Sequence, residues 1–409
     1  RLYRKLSEAG SRWSIYNPRV REHIEEGLKL LEDTPQHPER IKLVIAKAFD
    51  HYWQRPAGQV DIQAAEAAAL EGYRLAEAAG SLEDMSAALD ALASTYIHTA
   101  DYQKCLDVSL QRVPIVQRLG QPHEQVDLHH MLAWTHEQVG RFPEGLAHAG
   151  EGMTVAKRSG IVGYQTQMIW DATRISTKWG RWDPVRGWVD ELADIERRYG
   201  RRDRRRRHIL SAIGRIAALR GRFDEARSIL EEIEMTPPPG NPALGWGGPF
   251  SKLLITLAIP DLDRSRTLVE EGLRVAEAPW TGLELGTLAL EFSALSKEWD
   301  YAIRLGDDMV ETTRAKGLRY HLAIGCRAMG AYHRAAGRLD QADALLAESQ
   351  DLFRALDTPW ELGRTLRELA LLRRDQGRTE EATVLLNEAL SLFQAMGAVP
   401  DIERTRSLI

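Results

Sequence analysis

Eight arginines fall within eleven residues of this sequence: Arg197, Arg198, Arg201, Arg202, Arg204, Arg205, Arg206 and Arg207, against one acid, Asp203. Guanidinium groups at this density can hold phosphates or an acidic partner. A single-strand binder would also interleave aromatic rings for bases to stack on, and only Tyr199 is there. The run falls where two helices are expected to meet, so most of its side chains are expected in solvent. Arginines at a helix C-terminus also offset the helix dipole. A solvated turn and a polyanion site both remain open readings, and nucleic acid is not the expected partner.

Histidine is the second chemistry-bearing group. His123, His129, His130 and His136 fall within fourteen residues. Metal ligands on one helix want partners three or four residues apart. His129 and His136 are seven apart, on one face but two turns distant, and His130 lies on another face. Structural roles are expected, with no metal. No phosphate-binding Gly-x-x-x-x-Gly-Lys loop, no dinucleotide fingerprint, no Gly-x-Ser-x-Gly elbow and no His-Glu-x-x-His occurs. No pair of titratable groups stands at a convincing catalytic spacing. The chain is therefore expected not to be an enzyme and to need no cofactor.

Composition narrows the class further. The chain has 409 residues, 44% hydrophobic and 28% charged, with a net charge of −5. That balance carries no global basic signal. Two cysteines, Cys105 and Cys326, give neither a disulfide framework nor a zinc spacing. They fit small core positions and a reducing cytoplasm. No apolar run approaches the length of a membrane span, and no secretory signal opens the chain. It begins at Arg1, apparently inside a helix, which suggests a piece of a longer protein or a processed N-terminus.

Two combs of glycine set the period of the elements. Gly80, Gly120, Gly160 and Gly200 are spaced by 40, and the series continues at Gly240, Gly317 and Gly397, with Asp357 in the intervening slot. The second comb is Gly140, Gly180, Gly221, Gly337 and Gly377. A helix ends most easily at a residue that can take positive φ. Two stops per 40 residues therefore predict two helices per repeat, and hairpins stacked at fixed period make a solenoid. Small residues recur in the second helices at Cys105, Gly145, Ala226, Ala302, Ala342 and Ala382. Ser109, Ala149, Leu230, Gly306, Leu346 and Leu386 follow four residues later, on the same face. Leu89, Leu92 and Ala93, like Leu366, Leu369 and Ala370, supply the apolar stripe of first helices.

Segments such as Gly221-Arg222-Phe223-Asp224-Glu225-Ala226 and Gly377-Arg378-Thr379-Glu380-Glu381-Ala382 resemble the inter-helix turn of the tetratricopeptide repeat. The resemblance covers about residues 40–397. The period of 40 exceeds the usual 34, and the family's early tryptophan and closing proline are mostly missing. A HEAT-like array is the structural alternative. The longer variant, with Ala344-Leu345-Leu346-Ala347-Glu348 and Ala389-Leu390-Ser391-Leu392-Phe393, is similar to the C-terminal repeats of large bacterial signalling ATPases. Those include LuxR-type, maltose-activator-like regulators and multidomain nucleotide cyclases.

This resemblance implies an all-α, right-handed superhelical solenoid of about nine to ten hairpins whose first helices line a concave groove. Its inward positions map onto Asp127, His130, Trp134 and Glu137, then Gln167, Trp170 and Arg174, then His208, Ser211 and Arg215. Apolar area with a few placed polar groups suits a peptide, a sugar or another amphipathic ligand. Packing of Trp134 and Trp170 between helices is the other reading. Further inward positions are Glu284 and Glu291, then Arg327, Arg334, Arg364, Arg367 and Arg374. An arginine row could hold carboxylates or phosphates, or form a solvated face with local pairs such as Arg374 beside Asp375.

The expected organisation is an N-terminal helix pair or cap at 1–40, repeats at 41–235, a Pro/Gly-rich loop at 236–248, repeats at 249–397 and a capping helix at 398–409. Trp246 in that loop is a candidate lid over the groove. The function expected is a non-catalytic arm that senses a ligand or protein within a bacterial signalling or transcription regulator. A stand-alone interaction scaffold or self-assembling adaptor is the alternative.

Overall fold

A computed structural model describes residues 19–34, 37–53, 61–200, 205–235, 247–276 and 278–409. Among these residues there are twenty α-helices and no strand. Helix α1 (Val20–Lys29) precedes nine hairpins. They are α2 (Pro38–Trp53) with α3 (Ile62–Ala78), α4 (Leu82–His98) with α5 (Tyr102–Leu119), and α6 (Pro122–Gln138) with α7 (Phe142–Arg158). Next come α8 (Val162–Trp179) with α9 (Val185–Tyr199), α10 (Arg206–Leu219) with α11 (Phe223–Met235), and α12 (Gly247–Ala258) with α13 (Leu262–Val275). The last are α14 (Pro279–Ser296) with α15 (Asp300–Ala315), α16 (Arg319–Ala335) with α17 (Leu339–Ala355), and α18 (Pro359–Asp375) with α19 (Thr379–Met396). Helix α20 (Val399–Arg406) ends the chain. No helix among the described residues is long and apolar enough to cross a membrane.

The helix ends follow from local chemistry. Asp61, Ser81 and Asp261 accept backbone N–H bonds as N-caps, which satisfies donors that the first turn leaves orphaned. Pro122, Pro279 and Pro359 open helices where no N–H is needed. The described comb glycines all take positive φ, from +61° to +83°. Asp357 fills its slot at +52°, and Ala100 and Lys297 serve at two slots that carry no glycine, at +55° and +61°. Gly240 lies outside the described residues, as does Trp246 with the rest of 236–246. Helix α12 already begins at Gly247, within the span expected to be loop.

Close approach within each hairpin rests on the small residues of the second helix. Cys105, Ala226, Ala302, Ala342 and Ala382 are fully buried. A Cβ on Gly145 would come within 3.0 Å of the Ala133 carbonyl oxygen. One on Gly306 would overlap the Met329 sulfur, at 1.9 Å. Both cysteines are buried thiols.

The stack also coils back on itself. The Gly140 turn, between α6 and α7, sits against Leu356 at the end of α17, 2.5 Å from where its Cβ would be. The Gly180 turn meets Pro359 and Met396, and the Gly221 turn meets Val399 and Pro400. Arg181 pairs with Asp357 at 2.6 Å across 176 residues, and the Lys316 ammonium donates to the Thr99 carbonyl across 217. At 40 residues per hairpin, one superhelical turn takes about five hairpins. The largest core cluster accordingly joins residues 41–139 to residues 253–318. The two expected halves share one core, and the expected groove is a partly open cavity lined by successive turns.

Candidate functional site

Helices α6, α8, α10, α12, α14 and α16 each turn one face to this cavity, an empty volume of about 830 Å³ that is partly open to solvent. Its wall is aromatic. Trp134 on α6 meets Trp170 on α8 edge to face, with centroids 5.4 Å apart, and meets Trp280 on α14 at 6.0 Å. Arg174, one turn beyond Trp170, lays its guanidinium 4.6 Å from the Trp134 ring centre and 5.0 Å from that of Trp170. Cation–π attraction is strongest where water is displaced. Phe250 and Leu254 of α12, Leu288 of α14 and Ile324 of α16 complete the apolar lining.

Charge enters this wall in ordered pairs. Glu137 lies buried at the end of α6, with Arg174 Nη2 at 2.7 Å and Lys178 Nζ at 2.9 Å. Lys178 reaches on to Glu284 at 3.2 Å. Gln138 donates to the same carboxylate at 3.3 Å. Burial pushes the Glu284 carboxyl up, but Lys178, His321 and Arg174 outweigh it and hold it at about 2. Burial also lowers His321 to about 4 and His208 to about 3, the latter aided by Arg207, Arg174 and Arg205. Both imidazoles are therefore neutral at physiological pH. Arg215 has the loosest pairing of the lining cations, 3.8 Å to Glu361. The Trp134 indole N–H makes no hydrogen bond among the described residues.

A second charge node lies beside the cavity. Glu291 meets Arg327 at 2.6 Å and Arg364 at 2.8 Å. Glu361 meets the same two arginines at 2.7 and 3.2 Å and accepts from the Tyr320 hydroxyl at 3.0 Å. All four charged residues are buried. Burial raises the Glu291 carboxyl, but Arg364, Arg327 and Arg215 hold it well below the usual range.

The structure divides the residues singled out from the sequence. Trp134, Trp170, Arg174, His208, Ser211, Arg215, Glu284 and Glu291 line the cavity. Trp134 and Trp170 are side by side, and they also pack between helices, so the two readings merge. Asp127 is elsewhere, closing a buried node in which Arg112 meets Asp127 at 2.8 Å, Glu124 at 2.9 Å and Asp90 at 3.0 Å. His130 pairs with Asp171 at 2.7 Å and with Gln167 at 3.2 Å. The arginine row is not an open anion face. Arg327 and Arg364 are neutralised as above, Arg334 pairs with Asp375 at 3.0 Å, and Arg367 with Asp401 at 2.9 Å. Arg374 donates to the Leu408 carbonyl rather than pairing with Asp375. A guanidinium cannot shed its charge when buried, so each must find a counter-charge or carbonyl.

The arginine cluster is described only in part, and Arg197 and Arg198 at the end of α9 are exposed as expected. Arg201, Arg202 and Arg204 lie outside the described residues. Arg205 donates to Gln167 at 2.5 Å, Arg206 is clasped by Glu196 and Glu232, and Arg207 is buried. None of these three stands in open solvent. Lys178, Trp280, Tyr320 and His321 were not anticipated. Two carried a signal: Lys178 lies one turn beyond Arg174, and Trp280 one turn before Glu284.

Residues 323–395, spanning most of α16 to α19, match the tetratricopeptide repeat family model. The fold of the chain is an all-helical, tetratricopeptide-like solenoid. Among solved structures the array is similar to a Rap protein complexed with competence and sporulation factor, with a TM-score of 0.56 and 10% sequence identity. The match covers 88% of the array and 99% of that chain. At this identity the likeness concerns the fold alone. No curated protein sequence matches the array at a significant level.

Proposed function

We propose that the array is a non-catalytic sensor that takes a short protein segment into its central cavity, as the sensing arm of a signalling or transcription regulator. The observation that carries this is the cavity's composition. Apolar walls from six hairpins surround a loosely paired guanidinium, Arg215, and the Trp134 indole N–H, which has no partner among the described residues. A peptide offers apolar side chains for the first and a carboxylate and carbonyls for the second. A sugar fits less well, because a pyranose needs a bare aromatic face and Arg174 covers both Trp134 and Trp170. The similar Rap structure is of a complex with a competence and sporulation factor, which supports a ligand-holding role for this fold. Because both coils of the superhelix line the cavity, an occupant would change how they sit together, and that displacement is the output of the sensor.

The test is a thermal-shift and tryptophan-fluorescence screen of the purified chain against short peptides with free C-termini, with sugars and nucleotides alongside. A ligand of the folded state raises the melting temperature. Peptide hits that vanish in Arg215→Met, while its circular dichroism is unchanged, support the reading. No peptide response, or full response in Arg215→Met, would overturn it. Ile303 and Val384, large apolar residues exposed on α15 and α19, favour the second reading, a scaffold that works through its outer face. A partner captured equally well by the Arg215→Met chain would establish that one.

A further inference from the structure

Away from the cavity, in the seam between α6 and α7, three potential ligand atoms converge. His129 Nδ1 lies 3.2 Å from His148 Nδ1. Glu151 Oε2 lies 3.5 Å from the first and 3.7 Å from the second. Together these atoms form a compact group able to hold an ion. They lie on a circle of radius about 2.0 Å, and zinc–nitrogen and zinc–oxygen bonds are about 2.0–2.2 Å. The three separations are also close to the edge of a tetrahedron of such bonds, about 3.4 Å. An ion slightly off the plane of the three would reach all of them.

We propose that His129, His148 and Glu151 form a site for a divalent transition metal of the zinc class, with its remaining coordination positions open to water. Two imidazole nitrogens and one carboxylate oxygen suit zinc, cobalt or nickel rather than calcium or magnesium.

The local sequence builds this convergence. His148 and Glu151 are three residues apart on α7, so they share a face, the same i, i+3 spacing with which helix bundles present carboxylate and histidine to metals. Gly152 lets α7 close on α6 at this level, since a Cβ there would stand 3.0 Å from the His129 Cβ. His136 stacks on His148 at 5.4 Å with planes 20° apart, and so holds that ring in place from the buried side. Glu151 is exposed, with His129 and His148 partly so, so an ion can enter without unfolding the hairpin. Without an ion, one Nδ1–H donates to the other Nδ1. To bind, both rings carry their hydrogen on Nε2 and present Nδ1 lone pairs. This is a tautomer change with no net loss of protons. A scan along α6 alone misses the set, because two of its three members belong to the next helix. Metal here would tie α6 to α7, the hairpin that carries Trp134 and Glu137.

Titration of the purified full chain with cobalt(II) tests the proposal, with zinc chloride in thermal-shift assays as the second readout. Expected are visible d–d bands of low-symmetry coordination saturating at one equivalent, and a melting temperature raised by zinc. Both should be lost in His148→Ala and weakened at least about tenfold in Glu151→Gln. Glu151 is on the surface, so its variant folds even if a histidine variant does not. His123→Ala, which alters an exposed histidine off this seam, should behave as wild type. The idea is overturned if the wild-type chain shows neither bands nor a shift, or if His148→Ala and Glu151→Gln bind as tightly as it does. Arg215→Met should leave metal binding intact, so the outcome is independent of the cavity reading.

Discussion

The charge nodes in and beside the cavity both set glutamates of first helices against cations, and they differ in exposure. Arg174, Lys178 and Glu284 line the cavity with 12–14% of their side chains exposed, around a Glu137 that is fully buried. Glu291, Arg327, Glu361 and Arg364 keep 2–10% exposed. Three members of the first node therefore face the cavity, whereas the second reaches it through Glu291 and otherwise joins α14, α16 and α18. On the proposed reading the first node meets the ligand, and the second serves mainly as a joint between helices.

Removing one member of each node should separate them most clearly. Glu361→Ala leaves Arg327 and Arg364 buried against a single carboxylate, and should cost about 3–5 kcal/mol in urea denaturation. Lys178→Met should cost about 1–2 kcal/mol, because Glu137 keeps Arg174 and Glu284 keeps partial hydration. Equal losses would erase the distinction.

Acid should act on the cavity side next. In the unfolded chain histidines take up protons below about pH 6.5. His321 and His136 do so at about 4 in the fold, and His208 at about 3. Their folded pKa values are depressed, so the unfolded state binds more protons in this window. Stability should be full above about pH 6.5 and fall as pH drops toward 4. His321→Asn should flatten that slope in melting curves. Below it, Glu284 adds a further loss as pH falls from its ordinary 4.5 toward about 2.

The smallest effect belongs to a pair with the same chemistry outside either node. Arg314 and Glu348 meet at 2.6 Å on exposed second helices, and Glu348→Gln should change stability by less than about 1 kcal/mol. A larger loss would mean that burial is not what sets the ranking.

The hairpins were legible because glycine at a helix end is a local requirement. Ala100 and Lys297, which take the same backbone without it, were not. The tryptophan pair was legible from helical spacing within one repeat and its neighbour. The neutralisation of Arg327 by Glu361 was not, because it depends on which turn of the next first helix faces which, 34 residues on. Nor was the contact of Gly140 with Leu356, since no local pattern states how many hairpins complete one coil.

That last contact changes how the molecule should come apart. A linear solenoid behaves as a one-dimensional chain of nearest neighbours and can fray from either end. Here the turns at Gly140, Gly180 and Gly221 are held by residues from 356 to 400, so each repeat has a second neighbour one coil away. Losing the last two hairpins would uncover the middle ones, and melting should be a single concerted event rather than a progressive unzipping. A disturbance at the α6–α7 turn can likewise be felt at the end of α17 directly, bypassing some 200 residues of intervening chain.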